Sequence, residues 1–359
     1  MKRVASSKPR DSVVTATAPC RVDLAGGTVD IWPLYLFHPG AVTVNVAVDI
    51  RTRCRIAPSG SAEIHLSSVD TGLEDRFSGL EEFIATAHPR HALAAHLLRF
   101  FCNGGEDRPR GRGGFRLETR SEAPAGAGIS GSSALMIATT AALARYTGRA
   151  LGREQIREIA QNVEAQLIRV PTGCQDYYPA LYGGVSAIHL AADGLHREAI
   201  AVSPAELEAR AVLVYTGAPR QSGINNWAVF KAHIDGDRRV YNNFRRIVEI
   251  AQGMVAGLRS EAWDDVERLL REEWKLRKTN APGISTPFID RLIRIAGRNG
   301  GRAAKVCGAG GGGCVFFLVE AGARERVSQA LAVAGAKVLP FKVATKGLEV
   351  RSHAARADD

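Results

Sequence analysis

The stretch Glu122–Ala144, EAPAGAGISGSSALMIATTAALA, constrains the fold more than any other. Gly126, Gly128 and Gly131 lead into a run rich in Ala, Leu and Met, and Gly148 stands where that run should stop. The pattern predicts a helix over Ser132–Tyr146, entered through a glycine loop. A strand comes before the loop. In Gly114–Arg120, Phe115, Leu117 and Thr119 alternate with Arg116, Glu118 and Arg120, which gives one buried and one solvated face. Glycines let backbone N–H groups approach a ligand, and a helix N-terminus adds unpaired donors and the positive end of the dipole. A loop of this kind cradles an anion, and its serine hydroxyls can bond a phosphate or Mg²⁺. The plainer reading is a flexible loop with a serine N-cap, and the loop alone leaves the two level. It is not a Walker A loop, because Gly131 stands where the lysine before Ser132 would be.

Two further segments carry glycine. In Lys305–Val319, KVCGAGGGGCVFFLV, Gly308, Gly310 and Gly313 match G-x-G-x-x-G. That fingerprint must open a helix, and CVFFLV reads as a strand, so the dinucleotide reading fails. The predicted unit is strand, glycine loop, strand. It holds more glycine than a hairpin needs, so a backbone lid over a ligand is favoured. In Ala18–Pro33, APCRVDLAGGTVDIWP, Arg21 and Asp23 fall in a strand and Asp30 follows the Gly26–Gly27 turn. An aspartate there is ordinary turn chemistry.

The rest of the chain alternates strands and helices. Strands are expected at Val13–Thr17, Ala41–Ile56 (as one or two), Leu181–Leu190, Ala211–Tyr215, Ala303–Cys307, Cys314–Val319 and Ala336–Val343. Helices are expected at Arg153–Ile168, Asn225–Gly257, Trp263–Lys278 and Pro287–Gly297. At 359 residues the chain exceeds one core, so two domains are expected, 1–200 and 201–359, in an α+β fold. Both ends, the second through SHAARADD, are expected to be loose.

Composition excludes more than it selects. Apolar residues make up 45% and charged residues 23%, which rules out a disordered chain. No apolar run is long enough to span a bilayer, and the first residues carry no secretory pattern. The six cysteines fall in no zinc spacing and fit a reducing, cytoplasmic setting. The net charge of +10 permits anionic ligands. The basic residues form no run and few aromatics lie among them, so no nucleic-acid partner is expected.

The three segments together, in this order and spacing, resemble the GHMP kinase family. PAGAGISGSSAL resembles its phosphate-binding motif, APCRVDLAGGTVD its N-terminal motif and VCGAGGGGCVFF its C-terminal glycine motif. The resemblance runs from about Ala16 to Val343. It implies an N-terminal domain like those of some ribosomal proteins, a ferredoxin-like C-terminal domain, and ATP with Mg²⁺ bound between them.

It also implies roles within NVEAQLIRVPTGCQDYY, where Glu164 matches the family's metal-holding Glu and Asp176 its catalytic acid. Read from the residues alone, Glu164 lies at the edge of a buried helix face and Asp176 is as readily a turn residue. By the resemblance, Pro124, Gly126, Ala127, Gly128, Ser130, Gly131, Ser132 and Ser133 hold the triphosphate. Ser133 or Ser132 joins Glu164 at Mg²⁺. Arg21 sits beside Asp176, and Asp30, Gly27, Gly173, Gly310 and Gly311 meet the acceptor.

Arg21 and Asp30 resemble the sugar-kinase branch, whose implied acceptor is a sugar or sugar phosphate, first the anomeric hydroxyl of a heptose 7-phosphate. Galactose, fucose and secondary-metabolite sugars stay open. The turn reads GGTVD in place of the family's GGGTD, and IWPLYL and RQSGINNWAVFKAH depart from the pattern where substrate should be read. A homodimer stays open too. An RNA-binding or regulatory protein that kept the fold and lost catalysis is the alternative of another class. Arg21, Ser133, Glu164 and Asp176, present together, oppose it.

Overall fold

The computed structural model describes residues 12–86, 90–103, 113–219 and 224–355. Strand β1, Ser12–Ala25, is buried along nearly its whole length, as its run of small and β-branched residues requires. A 3₁₀ turn, Leu34–Phe37, leads to β2, Val42–Pro58. Ala41–Ile56 is thus one strand rather than two. It is long enough to pair with β1 throughout and with two further strands on its other edge. There follow β3 (Ile64–Ser68), β4 (Leu73–Phe77), α1 (Leu80–Ala85), α2 (Ala92–Asn103) and β5 (Phe115–Ser121). Then come α3 (Gly131–Thr147), α4 (Arg153–Ile168), α5 (Tyr177–Tyr182), β6 (Val185–Ala191) and β7 (Gly194–Ile200).

The first sheet runs β4-β3-β5-β2-β1, and β6 pairs with the N-terminal half of β2 and with β7. All its pairs are antiparallel except β3 with β5. The helix α3 packs on β1 and β2.

The second half holds α6 (Pro204–Ala209), β8 (Ala211–Tyr215), α7 (Ile224–Ile234), α8 (Arg238–Arg259), α9 (Trp263–Arg277) and α10 (Pro287–Arg298). It continues with β9 (Gly301–Val306), β10 (Cys314–Val319), α11 (Arg324–Val333), β11 (Lys337–Leu339) and β12 (Glu349–Ala354). Its sheet is ordered β11-β8-β10-β9, all antiparallel. Numbered along this half, that order is 4-1-3-2, the ferredoxin-like arrangement.

Four expectations need correction. The single helix expected over Asn225–Gly257 is two. Gly236, at φ +83°, breaks it, and the Asp237 side chain accepts from Arg239 N and Val240 N to start α8 afresh. Leu181–Leu190 is not all strand: Leu181 and Tyr182 end α5, and β6 begins after Gly183 and Gly184. Ala336–Val343 contains only the three-residue β11. The C-terminal stretch is not loose through Ala354, because β12 pairs antiparallel with β1, Ala354 opposite Ser12. The division at residue 200 therefore does not follow sheet membership at the C-terminus, where the chain returns to the first sheet. All six cysteines are buried, and none forms a disulfide. No helix among the described residues is long and apolar enough to cross a membrane.

Candidate active site

The glycine loop turns sharply, with Ala127 N donating to Pro124 O at 3.0 Å. Ser130 sits in the left-handed region at φ +61° and its side chain does not cap α3. The serine-cap reading therefore fails, and the first-turn amides of α3 meet no capping side chain. A cavity of about 370 Å³ is lined by Pro124, Gly126, Ala127, Gly128, Ser130, Gly131, Ser132 and Ser133, together with Glu164 and Asp176. The second half clamps the loop in place. Cys314 N donates to Ala127 O at 2.6 Å, and a Cβ on Gly313 would stand 2.7 Å from that oxygen.

Arg21 is buried in β1 and all its bonds go to the site. Its Nε and Nη2 donate to Asp176 Oδ1 at 2.9 and 2.7 Å, and its Nη1 donates to Gly128 O at 2.9 Å and Cys307 O at 2.6 Å. Burial draws its pKa down, but the charges of Asp176 and Asp23 outweigh that and hold it above the ordinary arginine value. One side chain thus ties together the phosphate loop, the acidic site and the C-terminal glycine segment. Glu164 is buried on α4. Ser132 Oγ donates to its Oε1 at 2.8 Å and Tyr177 OH to its Oε2 at 2.7 Å. Burial raises its pKa in spite of both bonds. Ser133 lines the same cavity, and its hydroxyl also acts to lower the Glu164 pKa.

A second, narrower cavity of about 50 Å³ opens beside the first. Arg21, Asp23, Thr28, Asp30, Ile31, Thr172, Gly173, Gln175, Asp176, Arg277, Gly308 and Ala309 line it. Thr172 and Asp176 line both cavities. Asp30 is buried there, and its Oδ2 accepts from Gln175 N at 2.8 Å. Burial pushes its carboxyl up to about 7 against that bond, and the charges of Asp176 and Asp23 add to the rise. A Cβ on Gly173 would stand 2.1 Å from Asp30 Oδ2, so only glycine admits the carboxylate at this distance. Gly310 and Gly311, expected at the acceptor, pack instead on the 284 backbone, with Gly311 N donating to Ile284 O at 2.9 Å. Gly308 and Ala309 take their place on the cavity wall.

Sequence reasoning missed a buried ionic network behind this wall. Lys305 Nζ lies 3.1 Å from both Asp23 Oδ2 and Glu273 Oε1. Arg277 Nη2 lies 2.6 Å from Glu273 Oε1 and 3.3 Å from Asp23 Oδ2, and donates to Gly27 O at 2.9 Å. Gly27 therefore carries the turn on this network. A signal for it was present: Val266, Leu269, Leu270, Glu273, Trp274 and Arg277 share one stripe of α9, so two charges interrupt a core face. Of the unusual 220–233 stretch, residues 220–223 lie outside the described residues. The rest forms α7, whose His233 Nε2 sits 2.8 Å from His38 Nε2, fixing the 3₁₀ turn just beyond Asp30.

The uncapped helix over a glycine loop, and the ferredoxin-like half that clamps it, define a small-molecule kinase of two joined α+β halves. Residues 92–184 match the model described as GHMP kinases N terminal domain, and 254–337 that described as GHMP kinases C terminal. The chain belongs to the GHMP kinase family and is a phosphotransferase with a hydroxyl acceptor. It is 25% identical over 344 residues to the D-glycero-alpha-D-manno-heptose 7-phosphate kinase of Campylobacter jejuni, covering 94% of this chain and 98% of that one. It is also 25% identical over 351 residues to the mevalonate kinase of Pyrococcus horikoshii, covering 94% and 97%. The Lactococcus lactis galactokinase structure, complexed with galactose, superposes with a TM-score of 0.74 at 19% identity, covering 94% of this chain and 95% of that one.

Proposed function

We propose that the chain transfers the γ-phosphoryl of Mg·ATP to a sugar hydroxyl, first of all the anomeric hydroxyl of a heptose 7-phosphate. The observation that carries this reading is the position of Asp176, held by Arg21 where the loop cavity meets the acceptor cavity. The 124–133 loop binds the triphosphate through backbone amides and hydroxyls. Ser132, Ser133 and Glu164 present hard oxygen donors to that cavity, which suits Mg²⁺ and its preference for few protein ligands beside phosphates and water. When bound, the ion neutralises charge on the phosphates. Asp176 accepts the acceptor hydroxyl's proton or orients that hydroxyl. The acceptor oxygen bonds to the γ-phosphorus as the bond to the bridging oxygen breaks, and ADP leaves with the electron pair. Arg21 offsets the charge spread over the transferring group.

The heptose kinase relative supports a heptose acceptor. One observation favours a second reading, a galactokinase- or fucokinase-like enzyme of a free sugar. The two cations on the acceptor cavity, Arg21 and Arg277, are already paired with carboxylates, so among the described residues no unpaired lining cation is left for an acceptor phosphate. The test is an ATP-consumption screen over free hexoses, heptoses, their terminal phosphates and mevalonate. Turnover of sugars supports the proposal, and exclusive turnover of mevalonate overturns it. A thermal-shift scan with Mg·ATP against an oligonucleotide addresses the non-catalytic alternative: stabilisation by the oligonucleotide alone would favour it.

A further inference from the structure

Residues on the wall of the acceptor cavity carry buried polar atoms that the kinase reading does not use. Asp23 is 1% exposed. Its Oδ2 is engaged by Lys305 and Arg277. Its Oδ1 is buried and meets no donor among the described residues, although Asp23 lines the cavity. A buried carboxylate oxygen without a donor is costly and calls for a partner. Gln175 Oε1, on the same cavity, is unpartnered as well. The geometry at Gly27 shows how tightly these groups converge. A Cβ there would lie 2.4 Å from Asp23 Oδ2, 2.6 Å from Gln175 Nε2 and 2.9 Å from Arg277 Nη2. The groups waiting on this wall are acceptors, so the ligand that satisfies them brings donors.

We propose that Asp23 is a second acceptor-binding residue, taking through Oδ1 a hydrogen bond from a hydroxyl other than the one that meets Asp30. The inference rests on the sugar-kinase reading and narrows it: the acceptor presents at least two hydroxyls, and no anionic group, to this wall. A carboxylate placed there would face Asp23 and Asp30 together, so an acid acceptor is refused where a neutral polyol is held. Lys305 and Arg277 have a positioning role, holding Oδ2 and leaving Oδ1 unengaged.

The test compares the parent chain with Asp23→Asn and with the charge-balanced Asp23→Asn/Lys305→Gln. In Asp23→Asn, Lys305 draws the amide oxygen, so an NH₂ donor stands where Oδ1 was. The probes are D-mannose, D-galactose and D-glycero-D-manno-heptose 7-phosphate, each with its monodeoxy forms, and mevalonate. For a sugar that is turned over, one monodeoxy form should lose about 10- to 100-fold in kcat/KM on the parent, the worth of a charge-assisted bond. The same form should lose less than about 3-fold on the Asp23 variants, and its position should differ from the one desensitised by Asp30→Asn. If every monodeoxy form loses equally on parent and variants, Asp23 serves only the ionic network or a buried water, and the inference is overturned while the sugar reading stands. If no sugar is turned over, the sugar reading itself falls. If Asp23→Asn does not fold, the charge-balanced pair supplies the comparison.

Discussion

On the proposed function, the two walls of the site recognise their ligands by different means. Around residues 124–133 the polar groups are mostly backbone amides and serine hydroxyls, held by loop geometry and by the bond from Cys314 N to Ala127 O. Around the acceptor cavity they are charged side chains, Asp23, Asp30, Asp176, Arg21 and Arg277, with Lys305 and Glu273 behind. A backbone cradle needs little beyond glycine and a helix end. A charged wall needs partners that balance one another. The first should tolerate loss of a side chain, and the second should not.

The largest effect should come where the walls meet. Asp176→Asn keeps the shape of the site but removes the carboxylate that we propose accepts the acceptor hydroxyl's proton or orients that hydroxyl. We expect kcat to fall by about 10²–10⁴ with ATP binding nearly unchanged. Near-normal turnover in that variant would break the comparison at its centre.

Next is the network behind the acceptor wall. Lys305→Met leaves Asp23 and Glu273 facing each other across Arg277 alone, and both carboxylates are buried. Breaking a buried ionic set by removing one partner costs about 3–5 kcal/mol. Denaturant unfolding measures this directly. A loss under about 1 kcal/mol, the worth of an exposed pair, would mean that the charged wall is as tolerant as the backbone wall.

Much of the first wall is legible in the sequence. Gly126, Gly128 and Gly131 stand before an unbroken helical run, and such spacing is local. The ferredoxin-like half follows from strands and helices whose periodicity needs no distant partner. The network was harder to read because its members come from different elements: Lys305 lies 282 positions from Asp23 and 32 from Glu273. No local pattern links them, and only the interrupted stripe of α9 hinted at buried charge. β12 is obscure for a related reason. Its residues, Glu349–Ala354, are mostly exposed, and its place is set by the free edge of β1 more than by its own alternation. The break in the long 225–257 pattern is local chemistry, Gly236 followed by a capping Asp237, and helical periodicity on both sides masks it.

Smaller effects sharpen the contrast. Asp30→Ala removes a carboxylate from the acceptor side only. Losing such a partner costs roughly 1–3 kcal/mol, so kcat/KM for the sugar should fall about 5- to 150-fold. The KM for ATP should hardly move. A lower melting temperature with an unchanged sugar KM would make Asp30 a turn residue. Glu164→Gln tests the other wall by removing one charged oxygen, and the Mg²⁺ concentration for half-maximal activity should rise. An unchanged Mg²⁺ dependence would leave Glu164 as a partner of Ser132 and Tyr177 and nothing more.

The smallest expected effect reads the charge state of the acceptor wall through pH. Burial pushes the Asp30 carboxyl from its ordinary 3.8 up to about 7, with the Asp176 and Asp23 charges adding to the rise. Between those values the folded chain holds a proton that the unfolded chain has released. Asp30's contribution to stability is therefore full below about 3.8 and is lost as pH rises through about 7. Asp30→Asn cannot titrate but can still accept from Gln175 N. The melting temperature of the variant minus that of the parent should therefore climb between about pH 4 and pH 7 and level off above that. Taking the difference cancels the groups common to both chains, including the His38–His233 pair, whose burial lowers both histidines and acts in the opposite sense. A flat difference would mean that Asp30 ionises as a solvated carboxylate does. Its wall would then be open to water, and the contrast between a charged acceptor side and a backbone phosphate side would reduce to a matter of shape.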